Sequence, residues 1–452
     1  MAAFARKLWD ILAGGEASLV PGVSRAHPVE SDKALPSSVD VAVIGGGIIG
    51  VSAALYLAKR GFSVAVFEKG AIAGEASGRN HGLIEGKHQD LRLQPLIELS
   101  KQCWRNLDTL TGEETGFREH DIVEFFNGEE ELAGAQHWID QAATIGLSAR
   151  VASASQVDDL LCGASSAYKY AFHAAGEGIA EPKLAAPAIA MGARKHGALI
   201  FQQCAVRGFE RLGRGICAIV TERGTVRTGK VILAGGVWTP TFLRSLGIEL
   251  PMFGGYASIM SLAPFAGGPD LVGVLPPVVV RRELDGGYAV GAIQGVAPIL
   301  PSQFKYIRQL LPLLAAGPPI APRLSWSNFW RDLTTPATWR LDRPSPFEKV
   351  RILQPETQQP LLDRLLAELR RQRPEFMQAQ VREAWSGALV STIDDLPVLS
   401  GVSEVPGLFV GTGFTYGFTM GPGAGAVLAQ LAAGEDPGID LSPFQLSRFA
   451  QA

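Results

Sequence analysis

Residues Asp40 to Lys69, DVAVIGGGIIGVSAALYLAKRGFSVAVFEK, constrain the fold more than any other part of the chain. Val41 to Ile44 is an apolar run without alternation, the pattern of a strand covered on both faces in a parallel sheet. Gly45, Gly47 and Gly50 follow in G-x-G-x-x-G spacing. Ala53, Ala54, Leu57 and Ala58 then share one helical face, and Gly61 closes that helix before a second apolar strand, Ser63 to Phe67. In such a unit one glycine makes the turn, one lets a pyrophosphate approach the backbone, and one brings helix and strand together. The helix N-terminus stabilises the negative charge through its unpaired N–H groups. Glu68 stands at the tip of the second strand, where a carboxylate accepts both hydroxyls of an adenosine ribose and disfavours a 2′-phosphate. The glycine spacing alone is weak. Strand, turn, helix and acid in order point to dinucleotide binding, and the bland alternative is a βαβ unit that binds nothing.

At 452 residues the chain exceeds the size at which one core usually stops growing, so two domains are expected. A hydrophobic fraction of 47% and a net charge of -3 describe an ordinary globular protein with no basic excess for nucleic acid. Cys103, Cys162, Cys204 and Cys217 occur singly, which argues against a disulfide framework or a metal site and fits a reducing cytoplasm. Residues 1–38 read as an N-terminal arm with a short amphipathic piece, Phe4 to Ala13, too short and too polar for a signal peptide. No stretch approaches the length of a membrane span.

Beyond the fingerprint, the sequence predicts a helix over Lys183 to His196, a strand from Phe201 to Phe209, and a hairpin-like return from Thr221 to Val231. Pro277 to Leu284 and Tyr288 to Ala292, joined by Asp285-Gly286-Gly287, predict an antiparallel hairpin. Ser325 to Arg340, SWSNFWRDLTTPATWR, gathers three tryptophans and two arginines. Aromatic walls with cationic ends would suit a carboxylate-bearing substrate, while core tryptophans with surface arginines explain the segment equally well. A packing helix follows from about Gln358 to Arg373, and a small-residue helix is expected from about Gly421.

VIGGGIIG with Glu68, the loop ASGRNHG, and the C-terminal stretch PGLFVGTGFTYGFTMGPGAGAVLAQL together resemble the FAD-dependent D-amino-acid oxidase superfamily of glycine, sarcosine and γ-glutamylputrescine oxidases. The ASGRN form is most like the last group. The resemblance implies an α/β, two-domain FAD-binding fold, Rossmann-type and glutathione-reductase-like, with an antiparallel-sheet substrate domain. It implies FAD contacts at Gly45, Gly46, Gly47, Ile48, Ile49, Gly50, Glu68, Lys69, Ser77, Gly78, Arg79, Asn80, His81, Gly82, Val206, Ala234, Gly235, Trp238, Gly413, Gly417, Phe418, Thr419 and Met420. Domain boundaries follow at 39–93, 148–245 and 385–452 for FAD, and 94–147 and 246–384 for substrate.

Some relatives attach flavin covalently. Arg79 stands where their histidine would be and Gly387 where their cysteine would be, so noncovalent FAD is expected, with His81 the remaining candidate for a link. Sarcosine-type enzymes place a lysine where this chain has Thr419, so a substrate carboxylate must be held elsewhere; Arg331, Arg340 and Tyr256 are the candidates. The expected reaction is hydride transfer from the α-carbon of an amine or amino acid to flavin N5, followed by imine hydrolysis. Two alternatives stay open: a 2-hydroxy-acid dehydrogenase using His81 or His88 as base, and a flavin-bearing assembly factor or partner subunit. An electron-acceptor partner or a homo-oligomer is also left open.

Overall fold

The computed structural model describes residues 25–86, 90–145, 147, 149–152, 156–157, 168–292, 295–310 and 320–449. Phe4 to Ala13, His88 and Cys162 lie outside them. In chain order the strands are β1 Val41–Ile44, β2 Val64–Phe67, β3 Leu83–Ile84, β4 Arg118–Phe126, β5 Arg150–Ala152, β6 Tyr170–Ile179, β7 Leu199–Phe201, β8 Val206–Leu212, β9 Gly215–Thr221 and β10 Gly224–Arg227. They continue as β11 Val231–Leu233, β12 Met252–Leu262, β13 Val272–Leu275, β14 Val278–Arg282, β15 Tyr288–Ala292, β16 Gly295–Pro298, β17 Ile320–Arg323, β18 Val381–Thr392, β19 Val398–Gly401 and β20 Leu408–Thr412.

The expected parallel sheet forms around β1, in the order β19-β20-β11-β1-β2-β7, and every pair in it is parallel except β19 with β20. Helix Ile48–Lys59 packs on one face with Gln94–Thr111, Pro182–Lys195 and Gly417–Ala433. The other face meets the antiparallel sheet β8-β9-β10 and Phe347. A larger mixed sheet runs β17-β16-β12-β15-β14-β13-β4-β6-β3, with β18 on β12, and helix Gln359–Gln372 buries Leu362, Leu365, Leu366 and Leu369 beneath it. The architecture is therefore α/β, with a parallel cofactor sheet beside a mostly antiparallel one, as expected. The hairpin forms as read, with β14 and β15 in register from Val278↔Ala292 to Arg282↔Tyr288.

Four expectations need correction. The single strand over Phe201 to Phe209 is two, β7 and β8, in different sheets. The chain breaks at Gln203 (φ 50°), where Cys204 N donates to Glu68 O at 2.9 Å. Helix Gln94–Thr111, placed with the substrate pieces, buries Leu96, Trp104 and Leu107 in the core of the parallel sheet. Conversely β6, placed with the cofactor pieces, pairs with β4 in the large sheet. The C-terminal helix starts at Gly417 rather than Gly421, although Pro422 would suit a first turn. Side chains from Gln94–Thr111 stabilise the disturbed turn: Ser100 Oγ accepts from Gly423 N (2.9 Å) and donates to Thr419 O (2.7 Å), and Trp104 Nε1 donates to the same carbonyl.

Among the described residues no helix is long and apolar enough to cross a membrane, and no group of His, Cys, Asp or Glu is arranged to hold a metal.

Candidate functional site

The glycine turn is built by contact rather than by composition alone. Gly45 has φ 110°, and a Cβ there would lie 2.3 Å from Ala234 O, so β1 and β11 can close on each other only if it is glycine. Gly47 caps helix Ile48–Lys59 with extended backbone, and a Cβ on it would crowd Ser77 Oγ at 3.2 Å. Ser77 Oγ accepts from Ile48 N at 2.9 Å, which ties the flavin-type loop to this helix N-terminus. The C-terminal helix crosses close beside it. Gly421 would place a Cβ 2.5 Å from Ile48 Cγ2, and Gly425 one 2.4 Å from Ser52 Cβ. Two helix N-termini, at Ile48 and Gly417, are thereby held together, and their positive ends suit an anionic ligand.

Glu68 sits at the end of β2 as expected. Its Oε2 accepts from Gly46 N (2.7 Å) and its Oε1 from Gly70 N (2.6 Å). Burial nonetheless raises its pKa above the ordinary value, against the pull of Lys69 and the two N–H groups. A carboxylate has about four acceptor positions, so two remain for ribose hydroxyls. Val206 opens β8 just past Cys204, whose N–H holds Glu68 O. Lys69 and Trp238 are drawn together by a residue that no motif marked: Glu75 accepts from Lys69 Nζ (2.7 Å), from Trp238 Nε1 (3.1 and 3.0 Å) and from Leu353 N (2.9 Å). Lys69 Nζ also lies 4.4 Å from the Trp238 ring centre.

The loop from Gly74 to Gly82 is pinned from all sides. Arg79 is buried, with Nε on Gly74 O (2.9 Å) and Nη1 on Ser386 O (3.3 Å); burial and the charge of Arg25 lower its pKa. A Cβ on Gly387 would stand 3.0 Å from Arg79 O. The two positions aligned with covalent attachment thus meet in space, and neither carries a nucleophile. Asn80 turns inward, donating to Ala76 O and Ser77 O and accepting from Gly82 N. Gly82 adopts φ 79° against Ala180 O, while Gly78 approaches Ala73 O. His81 faces Gly291, both its ring nitrogens are sealed from solvent without a hydrogen-bond partner, and burial followed by the Arg281 charge pushes its pKa down to about 4. Unpartnered nitrogens in a glycine-lined recess fit a site completed by another molecule. Arg281, which the sequence did not single out, is 1% exposed. It donates Nε to His81 O and pairs with Glu181 at 2.9 and 3.1 Å.

At the C-terminal turn, Gly413 has φ 75° beside Thr392, and Phe418 packs on Trp104. Thr419 is 2% exposed and directs its hydroxyl to the backbone of Glu85 and Leu83, so it braces β3. Met420 is buried and Ile49 partly so, both in the shared core. The glycine turn, the two acceptor positions left on Glu68 and the recess at His81 would suit an FAD, whereas the side chains of Phe418, Thr419 and Met420 serve packing.

Of the residues expected to meet substrate, Tyr256 of β12 has its pKa raised by burial, and the charge of Arg331, on helix Trp326–Thr334, is near enough to oppose that rise. Arg340 is elsewhere, exposed and bound to Asp342 at 2.6 Å by its nearest oxygen. Nor do the three tryptophans gather. Trp326 and Trp330 are 63% and 48% exposed, whereas Trp339 packs on Phe347 and donates to Arg207 O.

Residues 40–431 match the sequence profile of the FAD-dependent oxidoreductases. The structure is similar to that of an L-amino acid deaminase from Proteus myxofaciens in complex with anthranilate, with a TM-score of 0.91, 34% identity, and coverage of 94% of this chain and 97% of that one. The chain is 25% identical to the glycine oxidase of Geobacillus kaustophilus, covering 90% of itself and 97% of that protein. It is 25% identical to the sarcosine oxidase subunit beta of Arthrobacter sp, with 91% of each covered.

Proposed function

The chain belongs to the FAD-dependent oxidoreductases acting on amino acids or amines, and from that premise we propose that it oxidises the Cα–N bond of an α-amino acid held through its carboxylate by Arg331 and Tyr256. The observation that carries this reading is that a guanidinium and a phenol from two distant segments, helix Trp326–Thr334 and strand β12, are near enough to influence each other's charge. Together they offer a carboxylate one cation and one neutral donor, since burial keeps the phenol protonated. When bound, FAD supplies the hydride acceptor.

The remaining work falls to the protein: binding the neutral amine with its α-hydrogen aimed at the ring, and excluding water until the imine has formed. His81 supports this division. A pKa near 4 makes it a poor base at neutral pH, and an amine that binds deprotonated needs none, whereas a 2-hydroxy acid would. The relatives named above are a deaminase and two oxidases of amino acids, which outweighs the likeness of the ASGRN loop to γ-glutamylputrescine oxidases. Single, unpaired Cys103, Cys204 and Cys217 support placing the protein in the cytoplasm.

The test is anaerobic bleaching of bound FAD by two panels, α-amino acids of both hands with N-methyl forms, and 2-hydroxy acids with simple amines. Bleaching by amino acids with a rate that rises with pH is expected. Bleaching by 2-hydroxy acids alone would overturn the proposal.

A further inference from the structure

The N-terminal arm lies against the flavin-type loop at Ala26, near Gly78, and is linked to it a second way through the stacked side chain of Arg25. Arg25 makes a two-point ion pair with Glu383 of β18, at 2.8 and 2.5 Å, and its guanidinium carbon lies 3.6 Å from the ring centre of Trp385. Lys183, at the start of helix Pro182–Lys195, shares Glu383 at 2.5 Å. These bonds outweigh the effect of burial and hold the Glu383 carboxyl below its ordinary pKa. Trp385 is 7% exposed, and its indole N–H is fully committed on the other side: Nε1 donates to Arg79 O at 2.9 Å. That carbonyl belongs to the loop whose next residues are Asn80, His81 and Gly82, and it lies where a Cβ on Gly387 would press. The connection is short and stiff: arm guanidinium, indole face, indole N–H, loop carbonyl.

We propose that Arg25 is a positioning residue for the flavin-facing loop, fixing the plane of Trp385 and through it the orientation of the Arg79–Asn80 peptide. A guanidinium stacked on an indole and locked by a carboxylate restrains both rotation and tilt of that ring. A surface arm merely resting on the body would not need this geometry. The inference rests on the reading that residues 77–82 line the FAD site.

The experiment titrates apoprotein with FAD and records the visible circular dichroism of the bound cofactor for Arg25→Met, Trp385→Phe, the double variant and Ser77→Ala. Arg25→Met is expected to weaken FAD binding about tenfold, roughly one charged stacking contact, and to change the dichroism. Trp385→Phe keeps the ring face but loses the N–H and is expected to act in the same direction. Because the two act through one link, the double variant should be no worse than the worse single one. Arg25→Lys, which keeps the stacking cation but not the two-point pair, should recover part of the loss. Additive effects, or an unchanged affinity and dichroism in Arg25→Met while Trp385→Phe alters both, would overturn the role of Arg25. Unchanged FAD binding in Trp385→Phe and Ser77→Ala alike would instead show that the loop is not the FAD site, and would remove the inference with that reading.

Discussion

The loop Gly74–Gly82 and the helix Trp326–Thr334 were equally conspicuous as sequence, one for its glycines and polar residues, the other for its tryptophans and arginines. The fold treats them in opposite ways. In the loop, Arg79 and Asn80 spend their side chains on backbone carbonyls, and Ile48 N (through Ser77), Trp385 and Arg281 fix its position from three elements. The helix buries none of its residues, and Trp326, Trp330 and Leu333 remain at least half as exposed as free side chains or nearly so. The proposed cofactor loop is thus specified by many contacts, each of them strict. The proposed substrate side rests on far less, chiefly on the nearness of the Arg331 charge to Tyr256.

On this contrast the largest effects are expected at the residues of the cofactor domain. Gly45→Ala puts a Cβ against the Ala234 carbonyl at a positive φ, where no rotamer relieves it. The expected loss is more than about 4 kcal/mol, read as insoluble protein or a collapsed melting transition. A fully folded Gly45→Ala enzyme with normal FAD content would break the comparison.

Acid should act next, through His81. Its folded pKa of about 4 lies below the ordinary 6.5, so the folded state favours the neutral ring. This stability is intact above the unfolded pKa and falls as pH drops from about 6.5 through about 4, because the unfolded chain takes up the proton first. The loss amounts to about 3 kcal/mol for the apoprotein. Urea titrations at pH 7 and pH 4.5 should show a steeper fall for the native chain than for His81→Phe. Parallel curves would mean the ring is hydrated.

Smaller again is the ribose acid. Glu68→Gln keeps the shape but removes the charge, and should weaken FAD binding by about 1.5 to 3 kcal/mol, the range for hydrogen bonds to a charged group. Titration of apoprotein by flavin fluorescence reads it directly.

The substrate side should respond more selectively. Arg331→Met is expected to raise KM for carboxylate-bearing substrates by about tenfold or more, with little change for simple amines, as one charge-assisted bond is lost. Equal effects on both classes would make Arg331 structural. Arg340→Met should change neither KM nor kcat, since its guanidinium is solvated beside Asp342.

The sequence by itself determined the parallel βαβ start, the position of the acid Glu68 at the end of β2, the hairpin at Asp285-Gly286-Gly287, and the cofactor. Each of these is carried by local chemistry, such as a glycine that alone tolerates a backbone angle, or a carboxylate placed by strand length. Tertiary structure alone decided the rest. The division of chain between the two sheets turned on α-helical residues such as Trp104 finding the parallel sheet's core, and on β6 finding β4, pairings that periodicity cannot specify. Nor did spacing separate Arg331, whose charge reaches Tyr256, from Arg340, which pairs with Asp342 at the surface. The roles of Glu75, Arg281 and Arg25 could not be read from the sequence because partners that fix them are far away in it, at Trp238, Glu181 and Glu383. A buried charge is satisfied wherever the fold delivers its partner, and that delivery depends on the packing of whole elements rather than on neighbours along the chain.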